Sequence, residues 1–97
     1  MAQIIYSDDA FADFERIIEF LLEASPTSAS DIVMNIQSGI SILTDHPLIG
    51  RKRDAFRSEL VISYGRSGYI AMYRYDPAYG IVRILRIKHQ REVGFAE

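Results

Sequence analysis

The sequence predicts an α+β domain with the element order β-α-α-β-β-β, a two-layer arrangement with a helical hairpin packed on one face of an antiparallel sheet. Three observations predict it. Two consecutive segments of the first half carry apolar residues at helical spacing. From Arg57 onward the period becomes that of strands, rich in β-branched and aromatic residues. Short turns at Gly65-Arg66-Ser67-Gly68 and Asp76-Pro77-Ala78-Tyr79-Gly80 separate the strands, so they pair as a meander. Helices confined to one side leave the other sheet face partly open, where the strand arginines are expected to line up. A chain of 97 residues fits one domain, residues 1–97.

Gln3 to Tyr6 is a short β-prone run and is expected as the first strand. Ser7, Asp8 and Asp9 can each cap a helix, and the two carboxylates suit the positive end of its dipole. That helix runs to about Ala24. Phe11, Phe14, Ile17, Ile18, Leu21 and Leu22 form its buried stripe, and Asp13, Glu15, Arg16, Glu19 and Glu23 its wet face. Ser25-Pro26 interrupts the pattern, serine as cap and proline in the first turn of a second helix. This helix spans about Pro26 to Asp45 and buries Ala29, Ile32, Val33, Ile36, Ile40 and Leu43. So tight a connection makes an antiparallel hairpin, and Pro47 marks its end. His46 to Arg53 reads as a loop containing Arg51-Lys52-Arg53, a candidate contact for phosphate or an acidic partner. Leu60 to Ile62 belong to a strand ending at Tyr64. Tyr69 to Tyr75 form the next, with Tyr69, Ala71, Tyr73 and Tyr75 on one face and Ile70, Met72 and Arg74 on the other. Ile81 to His89 form the last.

Charge is distributed unevenly. Residues 1–50 hold one basic residue against eight acidic, net −7, and residues 51–97 hold ten against five, net +5. Such asymmetry is a mark of chains that meet nucleic acid or an acidic protein. There is no cysteine, which excludes disulfides and thiolate metal sites and fits a reducing compartment. No leader and no membrane span is apparent, so a soluble, cytoplasmic protein is expected.

The chemistry concentrates where the last strand ends, at Lys88, His89, Gln90, Arg91 and Glu92. A histidine can give or take a proton at neutral pH, and neighbouring cations (Lys88, Arg91, Arg86) would favour its neutral, basic form. Arg57, Arg86 and Arg91 offer the planar donor fork that matches phosphate. A His-Arg-Lys cluster could cut RNA without a metal: a base takes the 2′-OH proton, cations hold the phosphorane charge, and an acid protonates the leaving 5′ oxygen. The same cluster could equally be the electrostatic footprint of a protein partner. Five of the six tyrosines lie between positions 64 and 79, where they either pack half-buried or stack on bases. His46 has no second ligand at metal spacing, and no metal or cofactor is expected. Gly65-Arg66-Ser67-Gly68 lacks the pattern of a phosphate loop.

Taken in order, these residues resemble the RelE/ParE superfamily of toxins from type II toxin–antitoxin modules, which includes plasmid stabilisation system proteins. The resemblance covers nearly the whole chain. It rests on the helical hairpin followed by His46-Pro47-Leu48-Ile49-Gly50-Arg51, on Arg57-Ser58-Glu59-Leu60-Val61-Ile62 and Gly68-Tyr69-Ile70-Ala71-Met72-Tyr73-Arg74, and on Ile87-Lys88-His89-Gln90-Arg91-Glu92-Val93-Gly94-Phe95. It implies a cognate antitoxin as partner, expected to bury the apolar edges of the helical hairpin and part of the basic sheet. It also implies one of two activities. RelE-like members are ribosome-dependent mRNA endonucleases that often use a C-terminal tyrosine; here His89, Arg57 and Arg91 would be catalytic. ParE-like members inhibit DNA gyrase without that set; here Arg51, Lys52, Arg53, Arg86 and Lys88 would contact the target. The terminal aromatic of this chain is Phe95, which has no hydroxyl, and that departure favours the ParE-like, non-enzymatic reading.

Overall fold

Ser7 is the point where strand becomes helix, and its side chain serves both. Its hydroxyl accepts from the Ala10 amide, capping the helix, and donates to the Leu85 carbonyl of the last strand 2.9 Å away. The computed structural model describes residues 1–65 and 67–91. The expectations for Arg66 and for Glu92, Val93, Gly94 and Phe95 lie outside the described residues.

The elements are β1 (Gln3–Tyr6), α1 (Asp8–Ala24), α2 (Ala29–Ser41), β2 (Arg51–Lys52), β3 (Ser58–Tyr64), β4 (Ser67–Asp76) and β5 (Ile81–His89). The sheet order is β1-β5-β4-β3-β2. The meander of β3, β4 and β5 is antiparallel, as expected, whereas β1 joins β5 in parallel. Both helices pack on one face, α1 over β5 and α2 over β3. The core between the layers is Ile17, Leu21, Ile36, Ile40 and Leu43 from the helical side against Ile62, Ala71, Tyr73, Val82, Ile84 and Ile87 from the sheet. Ile36, Leu43, Ile84 and Ile87 are fully buried, each stabilising the fold by about 2 kcal/mol through the apolar area it removes from water.

Several local expectations are corrected. The second helix does not begin at Pro26. Ser25 instead closes α1, its amide donating to the Leu21 carbonyl, and its own carbonyl accepts from Ser28. Pro26 therefore lies in the connecting turn, and α2 starts at Ala29 behind Ser28. A 3-10 turn, Ile42–Thr44, follows α2. Arg51-Lys52 is not loop but a short edge strand on β3. The β3–β4 turn has two residues rather than four, because Tyr64 already pairs with Ser67. Gly65 takes φ +56°, the left-handed conformation so tight a turn needs.

The α1 stripe is also narrower than its sequence implies. Phe11 and Leu22 are 60% and 59% exposed, while Asp13, expected on the wet face, is 5% exposed. Of the β4 tyrosines, Tyr69 and Tyr73 are buried. Tyr73 Oη accepts from the Gly50 amide and donates to the Pro47 carbonyl, both at 2.9 Å, which pins the 46–50 loop. A Cβ at Gly50 would stand 2.5 Å from that oxygen, so the position admits only glycine.

Candidate functional site

The helical hairpin tip, the β3–β4 turn and the end of β5 come together around one cavity. In register, His89 lies opposite Tyr69, and Tyr69 opposite Ile62. The His89 ring meets Tyr69 edge-on, with centroids 5.2 Å apart and an 88° interplanar angle. Its Nδ1 accepts from the Arg91 amide at 3.1 Å, so in the neutral ring the proton sits on Nε2.

A cavity of about 510 Å³ opens here, lined by Arg16, Ile17, Phe20, Tyr69, His89 and Arg91. A second of about 380 Å³ adjoins it, sharing Phe20, Tyr69 and His89 and reaching Leu21, Ile32 and Tyr64. Ile17, Leu21 and Tyr69 are buried and form the floor, whereas Phe20 is 65% exposed and stands as a rim. The result is an apolar groove edged by two guanidinium groups and an imidazole. That chemistry suits an apolar anchor flanked by anionic groups, carboxylate or phosphate.

Behind the groove lies Asp13. It accepts from Arg86 Nε at 2.7 Å, Arg86 Nη2 at 3.0 Å and the Ile87 amide at 2.9 Å, with Arg16 Nη2 3.8 Å away. Burial pushes its carboxyl up, but the Arg86 and Ile87 hydrogen bonds and the Arg86 and Arg16 charges outweigh that and leave it below the usual carboxylate range.

The other candidate residues divide. Arg57 does not reach His89 and Arg91. It precedes Ser58, whose partner is Tyr73, five residues along β3 from the Ile62 level of His89, a separation of about 17 Å along the strands. Arg57 instead bonds Asp54 at 2.7–2.8 Å. Arg53 and Arg51 reach Glu59, at 2.7 and 3.9 Å, and Lys52 stands exposed between them on β2. Arg86 turns from the expected open face toward α1. Lys88, opposite Ile70, alternates with His89 and falls on the open side, where Arg74 and Arg83 face each other in register. Among the described residues no group of three His, Cys, Asp or Glu side chains could hold a metal.

Sequence reasoning missed Arg16, Phe20 and Asp13. Phe20 carried a signal, since it is an aromatic off the apolar stripe of α1. Asp13 carried none, because one carboxylate among the seven charged residues of that helix looks like the rest.

Comparison with known proteins gives these findings. Residues 4–94 match the family described as "ParE toxin of type II toxin-antitoxin system, parDE". Toxin RelE3 of Caulobacter vibrioides is 32% identical over 80 residues, covering 82% of this chain and 85% of that one. Toxin RelE2 of the same organism is 32% identical over 89 residues, covering 92% and 96%. The fold recurs in the chromosomal ParDE system from P. aeruginosa, with a TM-score of 0.72, 21% identity and coverage of 91% and 95%. It recurs again in the RelBE2 toxin–antitoxin complex from Mycobacterium tuberculosis, with a TM-score of 0.58, 20% identity and coverage of 92% and 98%.

Proposed function

Because the chain belongs to the ParE toxin family of type II toxin–antitoxin systems, we propose that it acts by binding and inhibiting a large protein target, DNA gyrase by family resemblance. A cognate antitoxin neutralises it by laying an apolar segment with acidic flanks in the groove beside α1. Arg16, His89 and Arg91 meet the carboxylates, and the floor of Ile17, Leu21 and Tyr69 takes the apolar anchor. The observation that carries the binding reading over a cutting one is the distance between Arg57 and the His89–Arg91 tip. A scissile phosphate held at that tip lies beyond Arg57, so the three residues do not form one clamp.

The test is a pair of assays on one antitoxin-free preparation: gyrase supercoiling of relaxed plasmid, and mRNA integrity in a translating ribosome extract. Lost supercoiling with intact mRNA is expected. Cut mRNA with normal supercoiling overturns the proposal in favour of a RelE-like endonuclease. One observation favours that second reading: His89 and Arg91 share a groove with Arg16, so an imidazole lies near two guanidinium groups. In that mechanism His89 would move the 2′-OH or leaving-group proton, with Arg91 on the phosphate. His89→Ala would then abolish toxicity, whereas in the inhibitor reading toxicity survives it.

A further inference from the structure

β5 does not keep a two-residue alternation. Its fully buried residues are Val82, Ile84 and Ile87. The register slips at one point: Met72 faces Arg86 and Tyr73 faces Ile84, leaving Leu85 without a partner on β4. Strict alternation from Val82 and Ile84 would put Arg86 and Lys88 on the helix-facing side, and Ile87 and His89 on the open face. The extra residue instead buries Ile87 in the core and lets His89 line the groove under α1, while the Arg86 guanidinium still reaches Asp13 of α1. One residue decides on which side of the sheet the histidine stands.

The bulge is held from α1. Pairing with β1 ends at Tyr6 and Ile84, and beyond that point side chains replace the missing strand. Ser7 Oγ bonds the Leu85 carbonyl, and Asp13 bonds the Arg86 guanidinium through both oxygens and the Ile87 amide through one. We propose that Asp13 is a positioning residue for the groove: by fixing Arg86 and the Ile87 amide it sets the β5 bulge and keeps His89 and Arg91 on the helix-facing side. Asp13 itself is not among the residues lining either cavity.

A purely structural ion pair would change stability and leave His89 where it is, so the test reads position. It uses the 97-residue chain with no partner, and its outcome is therefore separate from that of the gyrase and mRNA assays. The readouts are the nuclear Overhauser contact between the Tyr69 and His89 rings, the Arg91 amide shift and the imidazole nitrogen shifts. Asp13→Ala is expected to lose the ring contact and move the Arg91 amide. Asp13→Asn, which keeps one acceptor for Ile87, is expected to weaken the cross-peak to less than about half. Ile36→Val, a core truncation on the buried face of α2, is the control and is expected to leave all three signals in place while lowering the melting temperature. Asp13→Ala with the contact and the Arg91 shift unchanged overturns the proposal. If that variant does not fold, an Asp13→Asn cross-peak at wild-type strength overturns it equally.

Discussion

The two ends of the sheet use the same residue types for different ends. Where β3 begins, each arginine has a partner close at hand. Arg53 and Arg51 converge on Glu59, Arg57 lies on Asp54, and Arg74 covers the Phe56 ring at 5.4 Å. Asp54 also takes the Phe56 and Arg57 amides at 2.8 Å, so the basic loop is a self-bonded turn. Where β5 ends, Arg16, His89 and Arg91 edge an apolar cavity, and the carboxylate behind them holds the strand rather than covering the groove. The difference is between cations partnered by carboxylates of their own turn and strand and cations that border an apolar cavity. Arg51-Lys52-Arg53, the densest basic run in the sequence, belongs to the self-bonded end.

The largest expected effect tests what supports the groove end. Asp13→Ala strands Arg86 and the Ile87 amide in a largely buried place, and should cost about 3 kcal/mol of unfolding free energy by denaturant titration. The pH dependence follows from the lowered carboxyl. Its contribution is fully present above the unfolded value of about 4 and is lost as pH falls through the lower folded value. The stability gap between wild type and Asp13→Asn should therefore hold steady above about pH 5 and close below about pH 4. A gap independent of pH would show that the charge on Asp13 contributes nothing.

Tyr73→Phe tests the opposite end. It removes the hydroxyl that bonds Gly50 and Pro47 and should cost about 1–2 kcal/mol, since both backbone groups lose a part-buried partner. The antitoxin dissociation constant should not change. A weakened complex would mean that the 46–50 loop belongs to the interface, and the contrast between the ends would fail.

How much of this was legible in the sequence depends on the range of the interaction. Strand and helix identities follow local period, so β1, α1 and the meander were readable from the residues themselves. The end of α1 was readable too, but the role of Ser25 was not, because a serine before proline can close one helix as well as open the next. The bulge left a trace, the spacing 82, 84, 87 of the buried residues, that makes sense only once the register with β4 is known. Asp13 was opaque for a similar reason: Arg86 lies 73 residues from it, and nothing in a linear pattern joins them. For the candidate site, the cluster of cations at His89 and Arg91 was readable from the sequence. Its convergence with Arg16 and Phe20, and its separation from Arg57, depend on strand register and on how α1 runs past the sheet.

A smaller effect is expected at the groove itself. Arg91→Ala should leave the melting temperature unchanged and weaken antitoxin binding about tenfold, the loss of one charge-assisted contact at a partly exposed rim. An unchanged dissociation constant, measured by calorimetry at two salt concentrations, would place the antitoxin elsewhere.

The smallest effect is expected for Arg57→Ala, and it is the most exacting test of the contrast. Arg57 and Asp54 form an exposed pair three residues apart, and such pairs contribute little once water and salt screen them. Melting temperature, antitoxin affinity and toxicity should all stay at wild-type values. The residue is nevertheless one that an endonuclease reading of the sequence places on the scissile phosphate. Loss of toxicity in a folded Arg57→Ala variant would mean that the β3 end engages the target directly, across the sheet from the groove. The two ends would then be two halves of one site, bridged by a target large enough to span about 17 Å of strand. Retained toxicity leaves Arg57 to the turn it holds together.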